Sequence, residues 1–301
     1  MRPFKRFADL DLNEVVSFYD YENDLLIEKK IGELTPDQHK LLRQNEAEGA
    51  QWHAEHPIHH QNIVDHYNQA TAEEKHAGHT WYSDAHHIAK VVAHDTNTPM
   101  HTMAGLISNY SPQTHWHTNI LTAAKVAREK KALGGPGSGV FADNRQKDAA
   151  HRMLMGEHYD HVITGQKTHA FAHLIEHGGN KDPNKPKVVV DRHAYSVAAG
   201  ARITDAAFGQ TKLKSKKGYN HVADAYHRAA KQLSEQHGMQ IHPHQVQATT
   251  WLVRQRLNGA QDTSKAKAVK GVAAKAKANW NKYAGEHHPS IVGKEPGTGN
   301  A

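Results

Sequence analysis

Helical patterning dominates this chain, and signals for β-strands are nearly absent. The single run of three valines, Val188–Val190, is too short to build a sheet. Apolar residues instead recur at helical spacing, and several periodic segments begin with a capping residue. Thr35-Pro36-Asp37 starts a segment that runs toward His56, and Thr71-Ala72-Glu73-Glu74 has the form of a capping box. The pattern therefore predicts an all-α protein.

The remaining helices follow from the same start and stop signals. Thr98-Pro99 opens a segment that Pro112 ends, and Asp143 and Asp191 each stand at the start of a helical segment. The glycine-rich stretch 134–139 lacks the strand and the Gly-Lys-Ser/Thr ending of a nucleotide-binding loop, so it is predicted to be a hinge. The predicted helical segments are 12–30, 35–56, 71–94, 98–111, 114–131, 143–156, 168–177, 191–200, 219–237 and 243–257.

Three regions are expected along the chain. Residues 1–70 are predicted to form an N-terminal helical extension, residues 71–257 the main helical domain, and residues 258–301 a basic, flexible tail. The tail has seven lysines against three acidic residues, with repeated Ala-Lys spacing.

Charge and cysteine content narrow the functional classes. The formal net charge is +6 with 28 histidines counted as neutral, which favours a polyanionic partner. The absence of cysteine excludes disulfides, thiol catalysis, thiolate zinc sites and cysteine-held iron–sulfur clusters. No apolar stretch reaches transmembrane length, and the first residues lack the apolar segment of a signal peptide. A cytoplasmic protein without membrane contact is therefore expected.

Three short stretches in a fixed order could carry chemistry. Residues 106–114 join an apolar helix to a polar turn, which reads Asn-Tyr-Ser-Pro-Gln-Thr at its end. Residues 165–168, Gly-Gln-Lys-Thr, form a turn before an apolar helix. Residues 188–194, Val-Val-Val-Asp-Arg-His-Ala, place an aspartate at a helix N-cap. Each motif is short, but the three together, in this order and in a helical context, are more specific than any one of them alone.

This ordered set resembles the helix-hairpin-helix DNA glycosylases, the endonuclease III-like members most closely, over rather more than half of the chain. The resemblance implies two helical subdomains packed around a cleft. In that family a Leu-Ser-Ala-Gln-Thr-like turn supplies a glutamine that enters the DNA stack. The matching run is Ser111-Pro112-Gln113-Thr114. Gln113 or Tyr110 would fill the gap that an extruded base leaves.

The other two motifs imply the catalytic groups. A Gly-x-Lys-Thr hairpin contacts backbone phosphate in that family and carries the nucleophilic lysine of bifunctional members; its match is Gly165-Gln166-Lys167-Thr168. A Val-Asp-Thr-His-like segment carries the essential aspartate, and its match is Val190-Asp191-Arg192-His193. The resemblance therefore implies Lys167 and Asp191 as the catalytic pair. The residues that it implies for DNA contact are Gln113, Tyr110, Gly165, Gln166 and Thr168.

The chain departs from the family pattern in the hairpin. Ile163 stands where the family has its first glycine. Because a β-branched residue resists positive φ, the hairpin is predicted to be altered or its phosphate contact weakened. The interval between Lys167 and Asp191 is also longer than in the family, and the iron–sulfur cysteines of endonuclease III are absent.

The leading functional hypothesis is excision of a modified or mismatched base from double-stranded DNA, with strand cleavage by β-elimination through Lys167. The alternative is a non-catalytic DNA-binding or virion-associated protein on the same fold. Similar chains occur in phage genomes, which would place the protein in the host cytoplasm or the virion. Under this alternative Asp191 only caps its helix, Lys167 is a surface lysine and Gln113 is a loop residue.

A third hypothesis is a histidine-rich metal enzyme. His169, His173 and His177 are spaced so that one helix face could present three imidazoles. With 28 histidines in the chain, however, such pairs and triplets arise by chance. No metal site and no cofactor are therefore predicted, and the target base and oligomeric state stay open.

Overall fold

The computed structural model describes residues 15–20, 25–112, 114, 116–135, 138, 140, 142–179 and 186–259. Within these residues the protein is predominantly helical, as the sequence predicts. No described helix is long and apolar enough to cross a bilayer. The helices are α1 (Pro36–Glu55), α2 (His60–Asn68), α3 (Ala72–Asp95), α4 (Met100–Asn109), α5 (Trp116–Glu129), α6 (Asn144–Leu154), α7 (Tyr159–Val162), α8 (Gln166–His177), α9 (Arg192–Ala199), α10 (Asp205–Gly209), α11 (Lys216–His237) and α12 (Pro243–Gly259).

The predicted helix over residues 12–30 is wrong. Val15–Asp20 (β1) and Leu25–Lys30 (β2) form an antiparallel pair in which Val15 lies opposite Lys30. The sequence of β1, Val-Val-Ser-Phe-Tyr-Asp, is rich in the β-branched and aromatic residues that favour strands. The N-terminal region therefore contains a strand pair before its first α-helix.

The predicted helix starts are confirmed where side-chain caps had been identified. The Thr35 hydroxyl accepts a hydrogen bond from the Gln38 amide, and the Gln38 side chain accepts one from the Thr35 amide. Thr71 with Glu74 forms the same reciprocal pair at α3, and Asp143 forms it at α6. Each pair satisfies two backbone donors that a helix N-terminus leaves without intrahelical partners.

Two main groups of buried side chains organise the helices. The first, here called the central core, is built from α3 to α8 and includes Met103, Leu106, Ile120, Leu174 and Ile175. The second, here called the flanking core, is built from α2, α9, α11 and the start of α12. Its members include Ile63, Tyr67, Val222, Tyr226 and Leu233. The chain therefore enters the flanking core, builds the central core and returns to the flanking core.

Residues Val188–Val190 carry the chain from the central core back to the flanking core. The central core contains Val189, whereas the flanking core contains Val188 and Val190, as expected because side chains alternate along an extended segment. The Tyr219 hydroxyl accepts a hydrogen bond from the Val190 amide (3.0 Å) and donates one to the Val188 carbonyl (2.6 Å). Backbone groups of this buried segment are thus satisfied without a sheet, and it pairs with no strand in the described part of the chain.

Helices before residue 71 share these cores. The flanking core contains Ile63, Val64 and Tyr67 of α2. Trp52 of α1 packs in a smaller cluster with Ala199 and residues around α10. The region expected as an extension therefore packs against helices that follow residue 190.

A cluster of histidines lies where α3, α11 and α12 meet. The Tyr67 hydroxyl and His79 Nε2 are 2.7 Å apart, and the rings of His242 and His244 stack with centroids 5.5 Å apart. His244 is only 6% exposed. Its burial, together with the nearby imidazoles of His242 and His79, lowers the pKa of His244 to about 3. The folded protein therefore holds this ring neutral under mildly acidic conditions.

We predict that acidification destabilises the protein through His244. An unfolded histidine titrates near pH 6.5, so below that pH the unfolded chain binds a proton that the folded state does not bind until about pH 3. The free energy of unfolding should then fall by up to about 1.4 kcal/mol per pH unit for this group. Urea unfolding of the wild type between pH 7 and pH 5 should show a steeper loss of stability than His244→Gln.

The matched control is His151→Gln, which changes an exposed histidine on α6. The loss of stability with acidification should be the same in this control as in the wild type. Equal pH dependence in His244→Gln and the wild type would contradict the prediction.

Candidate active site

The turn between α7 and α8 differs from a Gly-x-Gly hairpin. Ile163 ends α7 with a φ of −88°, and Gly165 precedes α8 with a φ of −73°. No residue from 163 to 165 has a positive φ. The altered hairpin agrees with the prediction from Ile163, because β-branched residues avoid left-handed backbone conformations.

The backbone amides in the first turn of α8 are available to contact an anion. Gly165 is the N-cap, and among the described residues no side chain accepts a hydrogen bond from the first amides of the helix. The Thr168 hydroxyl donates to the Gly165 carbonyl instead (3.0 Å). Gly165 and Gln166 are both exposed. Unpaired amides at a helix N-terminus, together with the helix dipole, attract phosphate.

Lys167 lies in this first turn and is half-buried. Its neighbour Thr168 accepts a hydrogen bond at its carbonyl from the Ser108 hydroxyl of α4 (2.5 Å), which fixes the start of α8 to the central core. Within the described residues, the Lys167 amine has no hydrogen bond and no ion pair. An amine that no carboxylate holds is free to approach a bound substrate.

Asp191 stands at the end of the crossing segment and caps α9. One carboxylate oxygen accepts a hydrogen bond from the Ala194 amide (2.8 Å). In the described part of the chain the second oxygen accepts none. The capping role predicted for Asp191 is thus confirmed, and it leaves one oxygen for other chemistry. Because Tyr219 holds the backbone of Val188 and Val190, the position of this carboxylate is fixed by the flanking core.

The negative charge of Asp191 acts on three buried phenols. Burial raises the pKa of Tyr82, Tyr219 and Tyr226, and the negative charge of Asp191 raises each of them further. Tyr82 belongs to α3, whereas Tyr219 and Tyr226 belong to α11. The carboxylate therefore lies where α3 and the flanking core meet.

His193 follows Asp191 by two residues and contacts Arg254. Arg254 of α12 donates its Nε proton to His193 Nδ1 (3.2 Å). Because arginine keeps its protons, the neutral imidazole must carry its own proton on Nε2. Burial of the ring lowers the pKa of His193; the Asp191 carboxylate raises it, and the charges of Arg254, Arg192 and Lys167 lower it. Lys167 from one core and Asp191 from the other thus act on the same ring.

Tyr110 is not a DNA contact in this fold, which corrects the prediction. Its side chain is 1% exposed and belongs to the central core. The hydroxyl donates to the Leu133 carbonyl (2.9 Å) and accepts from the Leu133 amide (3.0 Å). A fully buried ring with both hydrogen bonds satisfied fixes the segment after α5 and cannot enter a base stack.

The other predicted DNA contacts divide into two groups. Gly165, Gln166 and Thr168 all lie at the start of α8, beside Lys167. Gln113 lies outside the described residues, so its predicted role as a wedge stays a prediction.

The histidines do not form a metal centre in the described residues. No group of three or more His, Asp or Glu side chains there is placed to hold a metal ion. His169 instead pairs with Asp160 (2.8 Å), and His173 contacts His177 edge-on with ring centroids 4.4 Å apart. The metal-enzyme hypothesis therefore gains no support from these helices.

Sequence reasoning missed the basic residues around Asp191. In the sequence, Arg254 is a basic residue near the end of the last predicted helix. Arginine is common at that position, so it indicated no function. His193 was part of the third motif but had no assigned role. Their proximity to Asp191 depends on the packing of α12 against α9.

Comparison with known protein families identifies the chain's relatives. A family of unknown function, DUF7178, matches residues 46–259. Since this match covers more than half of the chain, the protein belongs to that family. Searches of curated proteins and of solved structures gave no match. The matched region starts within α1 and ends with α12, so it includes both cores.

We predict that Tyr110→Phe lowers stability and leaves DNA affinity unchanged. Removing the hydroxyl leaves the Leu133 amide and carbonyl without their partner, which should cost about 1–3 kcal/mol in the free energy of unfolding. Urea unfolding measures this loss, and duplex binding by fluorescence anisotropy measures affinity.

Tyr195→Phe is the matched control, because among the described residues the Tyr195 hydroxyl makes one longer contact, to His53 Nδ1 (3.3 Å). Its loss of stability should be smaller. A Tyr110→Phe protein that keeps its stability but loses duplex affinity would show that Tyr110 does reach DNA.

Proposed function

We propose that this member of the DUF7178 family is a DNA glycosylase of the helix-hairpin-helix type that removes a modified or mismatched base from double-stranded DNA. Lys167 is the amine nucleophile, and Asp191 is the carboxylate that assists it. One observation carries the proposal: Lys167 lies in the first turn of α8, a helix of the central core, whereas Asp191 caps α9, a helix of the flanking core, and keeps one carboxylate oxygen without a hydrogen bond in the described residues.

The two cores support this proposal. Lys167 is on α8, a helix of the central core, whereas Asp191 starts α9, a helix of the flanking core. A catalytic pair divided between two helical units is what the resemblance implies for subdomains packed around a cleft. The extended crossing segment Val188–Val190 places Asp191 at the boundary between them.

The chemistry follows from these side chains. The target base must leave the duplex, because its glycosidic bond is buried in the stack. The neutral amine of Lys167 attacks C1′ of the sugar, a C–N bond forms, and the glycosidic bond breaks as the base departs with a proton. The free oxygen of Asp191 accepts the proton that the amine loses, or stabilises positive charge on the sugar ring. The C1′–O4′ bond then breaks and O4′ takes up a proton, which leaves the lysine nitrogen in a protonated imine with C1′. Loss of a proton from C2′ then expels the 3′ phosphate by β-elimination.

The start of α8 supplies a phosphate contact for the same DNA strand. Its uncapped amides at Gln166 and Lys167 are donors that need no specific base. This contact would hold the strand close to the Lys167 amine. The positive formal charge of the chain favours the same partner.

The test is covalent trapping with borohydride on duplexes that contain lesions, mismatches or an abasic site. The wild type should form a trapped protein–DNA complex, because borohydride reduces the imine between Lys167 and the sugar. Lys167→Ala should abolish trapping. Asp191→Asn should slow base release while it keeps most of the binding affinity, because it removes the charge and preserves the shape. Gel electrophoresis of labelled DNA measures both outcomes.

Lys231→Ala, which changes an exposed lysine of α11, is the control and should trap normally. If the wild type binds duplex DNA but never traps on any of these substrates, Lys167 is not a nucleophile toward them. The non-catalytic DNA-binding alternative would then take first place.

A further inference from the structure

Four lysines lie close together in the segment that leads into α11. They are Lys212, Lys214, Lys216 and Lys217. All four are exposed, and no acidic residue occurs between Asp205 and Asp224. Within the described residues, none of their amines forms an ion pair. Residues 212–217, here called the lysine turn, therefore form a surface of positive charge that no carboxylate neutralises.

Hydrogen bonds fix the backbone of the lysine turn. The Lys212 carbonyl accepts hydrogen bonds from the Ser215 amide (2.9 Å) and from the Ser215 hydroxyl (2.8 Å). The same hydroxyl accepts one from the Gly218 amide (3.1 Å) and so caps α11. A Cβ at position 218 would overlap the Lys212 carbonyl, so the glycine allows the turn to pack closely on the helix. Because the backbone is already ordered, only the lysine side chains lose freedom when a ligand binds.

The two helices that flank the lysine turn both contact neighbours of Asp191. Asp205, the first residue of α10, forms an ion pair with Arg192. In the first turn of α11, the Tyr219 hydroxyl accepts a hydrogen bond from the Val190 amide (3.0 Å). The lysine turn joins these two helices. It therefore lies in the part of the flanking core that carries Asp191.

The charge pattern suits a partner with many regularly spaced negative charges. Duplex DNA carries one phosphate for about every 1.7 Å of its axis. Lysine binds phosphate as a point charge and needs no particular base. Four separate amines on one surface can each neutralise a phosphate of a strand that passes over them, whereas a small anion would occupy one or two.

We propose that the lysine turn binds the backbone phosphates of duplex DNA. The identity of the ligand rests on the proposed function. The surface adds a backbone contact on the flanking core to the contact at the start of α8, which belongs to the central core. A duplex bound at both places would extend across the boundary at which Asp191 stands.

The experiment measures duplex affinity of the full chain against salt concentration, with a fluorescein-labelled duplex that carries a tetrahydrofuran abasic analogue. Lys216→Gln/Lys217→Gln removes two charges and keeps most of each side chain. Two lost phosphate contacts should reduce the log–log slope by about 1.8. Between about 50 and 200 mM salt, the wild type should therefore lose roughly tenfold more affinity than this variant.

Lys212→Gln/Lys214→Gln tests the other half of the lysine turn and should give a similar reduction. In the described structure none of the four lysine side chains makes a hydrogen bond, so both variants should keep the wild-type thermal unfolding midpoint by circular dichroism. A wild-type slope in both double variants would overturn the proposal.

The matched control is Arg228→Gln/Lys231→Gln, which removes the same charge from exposed positions of α11. Lys231 lies about 21 Å along the helix from Lys217, at 1.5 Å per residue. This control should keep the wild-type slope. An equal reduction in the control would show that net charge, and not the lysine turn, sets the salt dependence, and would also overturn the proposal.

Two further readouts separate the alternatives. The abasic analogue cannot form an imine, so the binding test gives an answer even if borohydride trapping fails. Trapping by the wild type with unchanged slopes in both double variants would leave the proposed function intact and refute the DNA-binding surface. The second readout is co-sedimentation with vesicles of phosphatidylserine and phosphatidylcholine. Vesicle binding that Lys216→Gln/Lys217→Gln abolishes, together with an unchanged duplex slope, would identify an anionic membrane surface as the partner and overturn the DNA assignment.

Discussion

The hydrogen bonds between the Tyr219 hydroxyl and the backbone of Val188 and Val190 are the interaction on which the rest of the arrangement depends. The chain must cross from one buried core to the other, and a buried extended segment without a sheet would leave its amides and carbonyls unpaired. One phenol satisfies an amide and a carbonyl at once. The alternating valines then belong to both cores, and Asp191 emerges at their boundary.

The electrostatics of the site follow from that crossing. Asp191 uses one oxygen to cap α9, so its charge is held close to the helix start and to three buried phenols. Basic residues from α8, α9 and α12 gather around it. The Arg254–His193 hydrogen bond decides which imidazole nitrogen carries the proton, and therefore what the ring can do.

Local sequence signals predicted those parts of the fold in which the physical cause is itself local. The helix starts predicted at Thr35, Thr71 and Asp143 depend on side chains within four residues of the groups that they satisfy, and the structure confirms all three starts. The strand pair at residues 15–30 was missed because the segment was interpreted by its amphipathic spacing, although β-branched and aromatic residues fill β1. Tyr110 was misassigned because a motif shows residue type and order, but not burial.

The sequence by itself determined the helical class, most helix boundaries, the altered hairpin at Ile163 and the N-cap position of Asp191, because each depends on residues a few positions apart. Only the tertiary structure decided that Tyr110 is buried, that α2 shares a core with α11, and that Lys167, Asp191, His193 and Arg254 share one neighbourhood. Those four residues span almost ninety positions, and their proximity depends on how the helices of two cores pack around the crossing segment. Packing of this kind depends on side chains far apart in the chain, which no local pattern records.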